Sequence, residues 1–494
     1  MKHIGFDNNK YLQMQSEKIK ERIDSFGGKL YLEFGGKLFD DLHASRVLPG
    51  FEPDSKIRML ISLKSEAEVI VVVSAHDVEQ NKIRGDLGIS YDLDALRLID
   101  AFNGIDLRVA GVVITQYTKQ PAAEAFIERL NNLGVKVYRH YPIDGYPTNI
   151  NKIVSEDGYG KNEYVETTKP LVVVTAPGPG SGKMATCLSQ LYHDHRRGIK
   201  AGYAKYETFP IWNIPLKHPV NMAYEAATVD LNDVNMIDPF HLDAYGVKAV
   251  NYNRDIEIFP VVRAMFDRIY GNCPYKSPTD MGVNMAGNCI IDDDAVCQAS
   301  KMEIIRRYYD ALCNKRKGTG SAEQVNKAEM IMTQAGVDVS FRNVVKASMD
   351  KAALTHAPAT AIELHDGTIV TGKTSPLLGA SASALLNALK KLGGINDEFL
   401  LLPQVIMEPV QTLKTEVLGN SNPRLHADEI LIALAISATT NPMAALAMEQ
   451  LPKLKGCEAH TSVIVSNVDK DIYRKLGIHL TCEPIYQTKK LYHK

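Results

Sequence analysis

The sequence predicts an α/β protein with a Rossmann-like parallel sheet domain, a helical middle domain and a C-terminal α/β sandwich. Three observations support this prediction. Short apolar runs alternate with amphipathic stretches up to about residue 210, these runs are continuous rather than alternating, and the strand pattern fades between Ile256 and Gly336. Strands that alternate with helices favour parallel pairing through right-handed crossovers.

The first domain, residues 1–255, is expected to hold the parallel sheet. A run such as Val69–Val73 has the length of a strand and no polar face, which is typical of a strand covered by helices on both sides. The predicted strands are Lys29–Phe34, Glu68–Ser74, Val109–Thr115, Val135–Arg139, Leu171–Ala176 and Lys200–Lys205. The predicted helices are Ser16–Phe26, Asp54–Lys64, Asp92–Phe102, Ala122–Leu133 and Ala185–Arg197.

The remaining residues are expected to form a helical domain, residues 256–336, and an α/β domain, residues 337–494. The predicted helices of the middle domain are Phe259–Tyr270, Ala295–Cys313 and Ala322–Ala335. The predicted elements of the last domain are helix Arg342–Leu354, hairpin strands Ala359–Leu364 and Thr368–Thr371, helix Ala380–Leu392, strand Phe399–Ile406, helices Ala427–Thr439 and Met443–Leu451, strand His460–Ser466, helix Asp469–Leu476 and strand His479–Glu483. This order is similar to the cytidine-deaminase-like sandwich. Because the zinc-binding motifs H-x-E and P-C-x-x-C are both missing, the likeness concerns architecture only.

Composition excludes several classes of protein. The chain of 494 residues carries 56 Lys and Arg against 58 Asp and Glu, a net charge of -2, which argues against a dedicated nucleic-acid binder. The 7 cysteines form no C-x-x-C pair, so neither a disulfide scaffold nor a zinc ribbon is indicated. The polar N-terminus and the lack of a long apolar run predict a soluble, cytoplasmic protein with no membrane partner.

The most informative segment is Leu171–Thr186, with the sequence LVVVTAPGPGSGKMAT. It reads as an apolar strand, a glycine-rich turn and a helix that opens at Met184. In a P-loop with this order, small residues let main-chain N–H groups approach phosphate oxygens, and the helix N-terminus and a lysine add positive charge. The predicted cofactor-binding residues of the turn are Gly178, Gly180, Ser181, Gly182 and Lys183.

The turn departs from the P-loop pattern G-x-x-x-x-G-K-[ST] at two positions. Pro177 stands in place of the first glycine, and Met184 stands in place of the hydroxyl residue that normally binds Mg²⁺. Thr186 is a poor substitute because two residues along a helix turn a side chain by about 200°. Ser181 or a distant carboxylate could take the role. Two alternatives remain open, namely a phosphate site, with or without a metal, and a tight turn that binds nothing.

Four polar residues outside the turn complete the predicted site. Lys205 and Glu207 stand at the carboxyl end of the strand after the loop helix, where open α/β sheets bind ligands, although a surface Lys–Glu pair is equally compatible. Asp230 and His241 are predicted to act with Lys183 in catalysis, because such side chains bind Mg²⁺ or act as a general base. Ordinary turns and helix caps are the alternative for both. The sequence does not indicate which residues would bind a metal.

Four segments carry a family resemblance: Leu32–Lys37, Ala176–Met184, Ser277–Ala286 and His356–Glu363. They are similar to a full-length bacterial family without established activity, whose members are sometimes labelled ATP-dependent zinc proteases. The likeness covers essentially the whole chain and implies no catalytic residue. A protease of the gluzincin or metzincin type needs H-E-x-x-H, and none of the 14 histidines begins that motif, so no zinc site is expected.

Together these features predict an enzyme or binding protein for a small phosphorylated ligand. The expected cofactor is ATP or another nucleotide, with Mg²⁺ as an open alternative, and the expected reaction is phosphoryl- or nucleotide-dependent chemistry on a small molecule. A transferase or ligase fits the residues better than a zinc protease. The rival hypothesis is a non-hydrolysing metabolite-binding or assembly protein whose glycine turn is structural. Neither the substrate nor the oligomeric state follows from the sequence, and a homo-oligomer is one alternative.

Overall fold

The computed structural model describes residues 4–35, 38–39, 41–84 and 87–488. Gly36 and Lys37, which belong to one of the segments that carry the family resemblance, lie outside the described residues. The chain forms two compact units. The N-terminal unit consists of Ile4–Glu225 with Asn232–Ser300, and the C-terminal unit consists of Ala226–Leu231 with the residues from Lys301 onward.

A parallel sheet organises the N-terminal unit. The strands of this unit are β1 (Leu30–Phe34), β2 (Ala67–Ser74), β3 (Ile83–Arg84), β4 (Ile89–Ser90), β5 (Val109–Thr115), β6 (Val137–Arg139), β7 (Leu171–Thr175), β8 (Gly202–Tyr206), β9 (Asn235–Ile237), β10 (Val250–Tyr252) and β11 (Gly282–Val283). Among the described residues, seven strands pair in parallel in the order β11-β8-β1-β7-β2-β5-β6. The pairs β3–β4 and β9–β10 are antiparallel.

Helices connect most of these strands. They are α1 (Asn8–Ser25), α2 (Leu42–Val47), α3 (Ser55–Ser62), α4 (Ala75–Glu79), α5 (Tyr91–Asn103), α6 (Pro121–Asn132), α7 (Ile150–Ile153), α8 (Lys183–Arg196), α9 (Pro219–Ala227), α10 (Pro239–Tyr245), α11 (Asn253–Tyr270), α12 (Pro278–Met281) and α13 (Asp293–Lys317), whose last residues belong to the C-terminal unit. In the part of the chain that the structure describes, no helix has both the length and the apolar character needed to cross a membrane.

The sheet is buried on both faces, as the continuous apolar strands predict. Along β2, Val71 and Val73 belong to one apolar core while Ile70 and Val72 belong to another. Side chains of consecutive strand residues point to opposite faces, so both faces of the sheet must be covered. The second core includes residues of α11, although the sequence places that helix in a separate helical domain. The three domain ranges stay a prediction.

The C-terminal unit contains a smaller, mixed sheet. Its remaining elements are α14 (Ala322–Gln334), α15 (Asn343–Thr355), β12 (Ala359–Glu363), β13 (Ile369–Lys373), α16 (Ala380–Gly393), α17 (Gln404–Thr412), α18 (Ala427–Ala438), α19 (Pro442–Met448), β14 (Glu458–Thr461), α20 (Asn467–Lys475) and β15 (His479–Cys482). The strand order is β13-β12-β14-β15. The predicted hairpin is confirmed, since β12 and β13 pair antiparallel, and β14 pairs in parallel with β15.

The strand predicted over Phe399–Ile406 is wrong. This segment is irregular up to Pro403, and α17 begins at Gln404. Leu401 and Leu402 are buried, but the side chains before them are mostly exposed, so the apolar run does not lie inside a sheet. Pro403 precedes the helix with an extended backbone, φ -68° and ψ 151°. The order of elements therefore differs from the predicted deaminase-like order at this point.

Candidate functional site

The glycine-rich turn lies between β7 and α8, in the strand–turn–helix order that the sequence predicts. Gly182 caps the helix with φ +90°, and Gly180 has φ +75°. Both values lie in the left-handed region, which glycine adopts at no steric cost. Lys183 is the first residue of α8, whereas the sequence predicts an opening at Met184 and a helix over Ala185–Arg197.

The turn holds a row of main-chain amides that have no acceptor among the residues that the structure describes. Within the described part of the chain, the N–H groups of residues 180–185 donate no hydrogen bond. The first amides of any helix lack an intrahelical acceptor, and here the turn before the helix extends the row. Consecutive free N–H groups at the positive end of a helix dipole favour an anion.

Packing also explains some of the residues in the turn. A Cβ on Gly178 would lie 2.2 Å from the Tyr91 hydroxyl, and a Cβ on Gly182 would lie 3.1 Å from Cγ2 of Thr115. The buried Ser181 hydroxyl donates to the carbonyl of Gly178 at 2.8 Å, and the Thr115 hydroxyl donates to the carbonyl of Ser181 at 2.7 Å. The side chain of Ser181 therefore holds the turn in shape.

Lys183 lies close to charged groups without pairing to any of them. Its amine forms no hydrogen bond and no ion pair within the described residues. Burial lowers the pKa of Lys183; the charge of Glu33 opposes this effect and that of Lys205 reinforces it. Glu33 in β1 stands beside Lys205 in β8 in the register of the sheet, and its carboxylate accepts the Tyr203 hydroxyl at 2.7 Å.

Lys205 is the centre of a buried ionic group, which we call the Lys205 cluster: Lys205, Glu33, Glu207, Tyr252 and Asp255. The Lys205 amine contacts the Tyr252 hydroxyl and the Asp255 carboxylate, and lies 3.2 Å from Oε1 of Glu207. Burial alone would lower the pKa of Lys205. The charges of Asp255, Tyr252 and Glu207 outweigh burial and hold that pKa well above its ordinary value.

Glu207 is the least satisfied member of the Lys205 cluster. Only 11% of its side chain is exposed, and among the described residues its Oε1 has no partner with hydrogen-bond alignment. Its Oε2 faces Gly282 of β11, where an added Cβ would lie 2.9 Å away. Burial raises the pKa of Glu207 to about 8, with Lys205 opposing the rise and Asp255 adding to it. This carboxyl group therefore changes its protonation near neutral pH.

The structure thus brings Lys183, Lys205 and Glu207 to one edge of the sheet, as the sequence predicts for the carboxyl ends of parallel strands. Glu33 and Asp255 are additional members that sequence reasoning missed. A signal for Glu33 exists, because it is the single charged residue in the fully buried strand β1. Asp255 gives no such signal, since an acid in the first turn of a helix is common without any function.

The other two predicted catalytic residues have different surroundings. Nδ1 of His241 lies 2.9 Å from the Ser277 hydroxyl, and its ring is 4.7 Å from that of Tyr245. Asp230 is exposed in a turn after α9 that is assigned to the C-terminal unit. The catalytic roles of His241 and Asp230 stay predictions.

Comparison with known proteins gives full-length matches. Residues 4–336 match the family described as "Domain of unknown function DUF1846, N-terminal", and residues 340–492 match "Domain of unknown function DUF1846, C-terminal". A UPF0371 protein of Corynebacterium diphtheriae is 58% identical over 492 residues, which is 99% of each chain. UPF0371 proteins of Streptococcus sanguinis and Streptococcus uberis are each 56% identical over 494 residues, all of both chains.

Proposed function

This chain belongs to the DUF1846 family, and from that premise we propose that it binds a nucleotide or another phosphorylated metabolite at residues 178–183. The observation that carries the proposal is the row of amides at residues 180–185, next to the amine of Lys183, none of which has a partner among the described residues. Such a row supplies several N–H donors to phosphate oxygens, and the lysine supplies the charge.

A bound phosphate changes the charge balance around Lys183. Without a ligand, burial disfavours the ammonium form of this side chain and lowers its pKa. A negative phosphate nearby favours the ammonium form. Binding is therefore coupled to proton uptake by Lys183 at a pH near its lowered pKa.

We assign proton transfer in the reaction to Glu207. A general acid or base works best when its pKa lies near the working pH, and the pKa of Glu207 is raised to about 8. Lys205 holds this carboxylate at the carboxyl end of β8, the edge at which open α/β sheets bind their ligands. This assignment depends on a Rossmann-like interpretation of the parallel sheet. Together with phosphate binding at the glycine turn, it gives the proposed reaction, which is phosphoryl- or nucleotide-dependent chemistry on a small molecule.

The turn does not fit the usual Mg²⁺ arrangement of a P-loop. Met184 supplies no hydroxyl, and the Ser181 hydroxyl is buried and bonded to the carbonyl of Gly178. In the proposal, Lys183 and the main-chain amides therefore neutralise the phosphate.

The experiment is isothermal titration calorimetry with ATP, ADP and inorganic phosphate on wild type and on Lys183→Ala. We expect the substitution to weaken binding by about 10- to 100-fold, because a hydrogen bond to a charged group contributes roughly 1.5–3 kcal/mol. Titration in buffers of different ionisation enthalpy should show proton uptake for wild type and less for the variant. Lys136→Ala, a change at an exposed lysine of the same unit, is the matched control. Equal affinity in wild type and Lys183→Ala would contradict the proposal.

The contacts of Gly178 and Gly182 favour a second candidate, in which the turn is structural. In that case the chain is a non-hydrolysing metabolite-binding or assembly protein, and Lys183→Ala leaves every ligand effect intact. A thermal-shift screen separates the two candidates, since a ligand that binds the native state raises the midpoint of unfolding by mass action.

A further inference from the structure

We propose that His218, Asp293 and Cys297 bind one transition-metal ion of the Zn²⁺ class. Their three ligand atoms lie within 4.8 Å of one another. All three residues belong to the N-terminal unit, and none is part of the Lys205 cluster. The inference is independent of the proposed phosphate site.

Two elements build this site. Asp293 opens α13 and Cys297 lies one turn later, so the two side chains stand on the same face of the helix. His218 directly precedes α9 and is buried, which places its Nε2 against that face. The chain thus supplies one imidazole, one carboxylate and one thiol from segments about 75 residues apart in sequence.

Of the three separations between the ligand groups, only the nitrogen–sulfur distance falls in the range of an edge of a zinc coordination tetrahedron. The nitrogen–oxygen distance is shorter and the sulfur–oxygen distance slightly longer, and these two distances involve different oxygens of Asp293. Nε2 of His218 lies 3.0 Å from Oδ1 of Asp293 and 3.5 Å from Sγ of Cys297, and that sulfur lies 3.8 Å from Oδ2 of Asp293. Bond lengths of about 2.0–2.3 Å to N, O and S in tetrahedral geometry give ligand–ligand distances of about 3.3–3.7 Å. Three protein ligands leave the fourth position for water or another molecule.

The ligand types decide which metal the site prefers. Thiolate and imidazole are soft or borderline ligands that select Zn²⁺ and similar ions over Mg²⁺ and Ca²⁺, which prefer oxygen. The Asp293 side chain is 70% exposed and His218 is nearly enclosed, so an ion can enter from the side of the carboxylate.

One hydrogen bond decides which ring nitrogen of His218 carries a proton before the metal binds. Nδ1 of His218 accepts the N–H of Val220 at 3.2 Å, so a neutral ring carries its proton on Nε2. When Nε2 binds the metal, this proton moves to Nδ1 and the bond from Val220 is lost. The thiol proton of Cys297 leaves to solvent as the metal–sulfur bond forms. Starting from a neutral ring and a protonated thiol, one proton is released per ion, and affinity rises with pH.

The test is a Co²⁺ titration of the chelator-stripped full chain, followed by absorption. We expect one equivalent to bind, with a thiolate-to-cobalt charge-transfer band and the visible bands of a four-coordinate ion. Cys297→Ser should abolish the charge-transfer band and weaken Zn²⁺ binding by more than about tenfold, measured by competition with a chromophoric chelator. Cys273→Ser, which changes another partly exposed cysteine of the same unit, is the control and should change neither.

Two further measurements keep the outcome decisive. Asp293→Asn changes an exposed side chain, so this variant should fold and bind Zn²⁺ more weakly. A pH indicator should report one proton released per Zn²⁺ bound to wild type. The absence of a thiolate band in wild type, or its persistence in Cys297→Ser, overturns the proposal.

Discussion

Each compact unit buries a group of charged side chains, and the two groups are paired to very different degrees. In the C-terminal unit, Glu458 accepts from Arg306 at 2.6 Å through one oxygen and from Arg342 at 2.9 Å through the other. Glu303 likewise accepts from Arg306 at 2.7 Å and from Arg307 at 2.8 Å. In the Lys205 cluster, by contrast, one amine contacts Asp255 and lies 3.2 Å from Glu207, and the charge of Glu33 also acts on it.

This difference appears in the pKa of one carboxyl group from each unit. Burial alone would raise the pKa of Glu458, but Arg306 and Arg342 hold it at about 2. Burial raises the pKa of Glu207 to about 8, and a single lysine does not reverse the effect. A closed network fixes its charges and serves the fold, whereas an incompletely paired cluster keeps a group that can exchange a proton. Strongly perturbed groups of the second kind are typical of functional sites.

The largest effect is expected from breaking the closed network. Glu458→Ala leaves Arg342, whose side chain is fully buried, without its carboxylate partner. Removal of one partner of a buried ion pair costs about 3–5 kcal/mol of the free energy of unfolding. Chemical denaturation monitored by fluorescence and circular dichroism measures the loss. Asp471→Ala breaks exposed ion pairs of the same unit and should cost far less. A loss no larger than that of this control would show that the network does not stabilise the unit.

The pH dependence of stability should differ in sign between the two groups. Glu207 binds its proton more tightly in the folded protein, so its contribution is present at low pH and is lost as the pH rises from about 4.5 through about 8. Glu458 binds its proton less tightly when folded, so its contribution is present above about 4.5 and is lost as the pH falls toward 2.

Thermal unfolding midpoints of Glu207→Gln and Glu458→Gln across a pH series measure both effects. The first variant should flatten the decline between about pH 4.5 and 8, and the second should flatten the decline between about pH 4.5 and 2. If the unfolding midpoint of Glu207→Gln depended on pH between about 4.5 and 8 as that of wild type does, the pKa of Glu207 would not be raised in the folded protein.

A smaller effect is expected from Gly282→Ala. Gly282 has φ -74°, so alanine brings no backbone strain, but its Cβ would lie 2.9 Å from Oε2 of Glu207. Crowding of this kind costs on the order of 1 kcal/mol and should displace the carboxylate from Lys205. Calorimetric unfolding and the pH profile of stability measure the two consequences. Gly35→Ala is the control, because a Cβ there meets only an ordinary contact of 3.7 Å. Identical pH profiles for both variants would show that Gly282 does not shape the Lys205 cluster.

The sheet was predictable because its signal is local. The continuous apolar runs of β2 and β5 and the amphipathic helices beside them specify strands covered on both faces, and the structure confirms a parallel sheet. The predicted strand at Phe399–Ile406 failed because an apolar run alone does not distinguish a strand from an irregular segment that leads into a helix. Pro403 was the residue that signalled the difference.

The candidate sites were predictable only in part. The glycine turn, Lys205 and Glu207 follow from motif order and strand position. Asp255 reaches the Lys205 cluster from α11, and His218 meets α13 across a long stretch of chain. Such contacts depend on tertiary packing and leave no spacing in the sequence. A search for H-E-x-x-H therefore says nothing about a metal site whose ligands come from separate segments.

The two ends of the parallel sheet bear on how copies of this chain behave in crowded solution. The outermost described strands are β11, with two residues, and β6, with three. A long outer strand offers a row of unsatisfied N–H and C=O groups to any neighbouring chain and so promotes aggregation. Strands this short offer almost no such row. The brevity of both outer strands thus protects this seven-stranded sheet from edge-to-edge association.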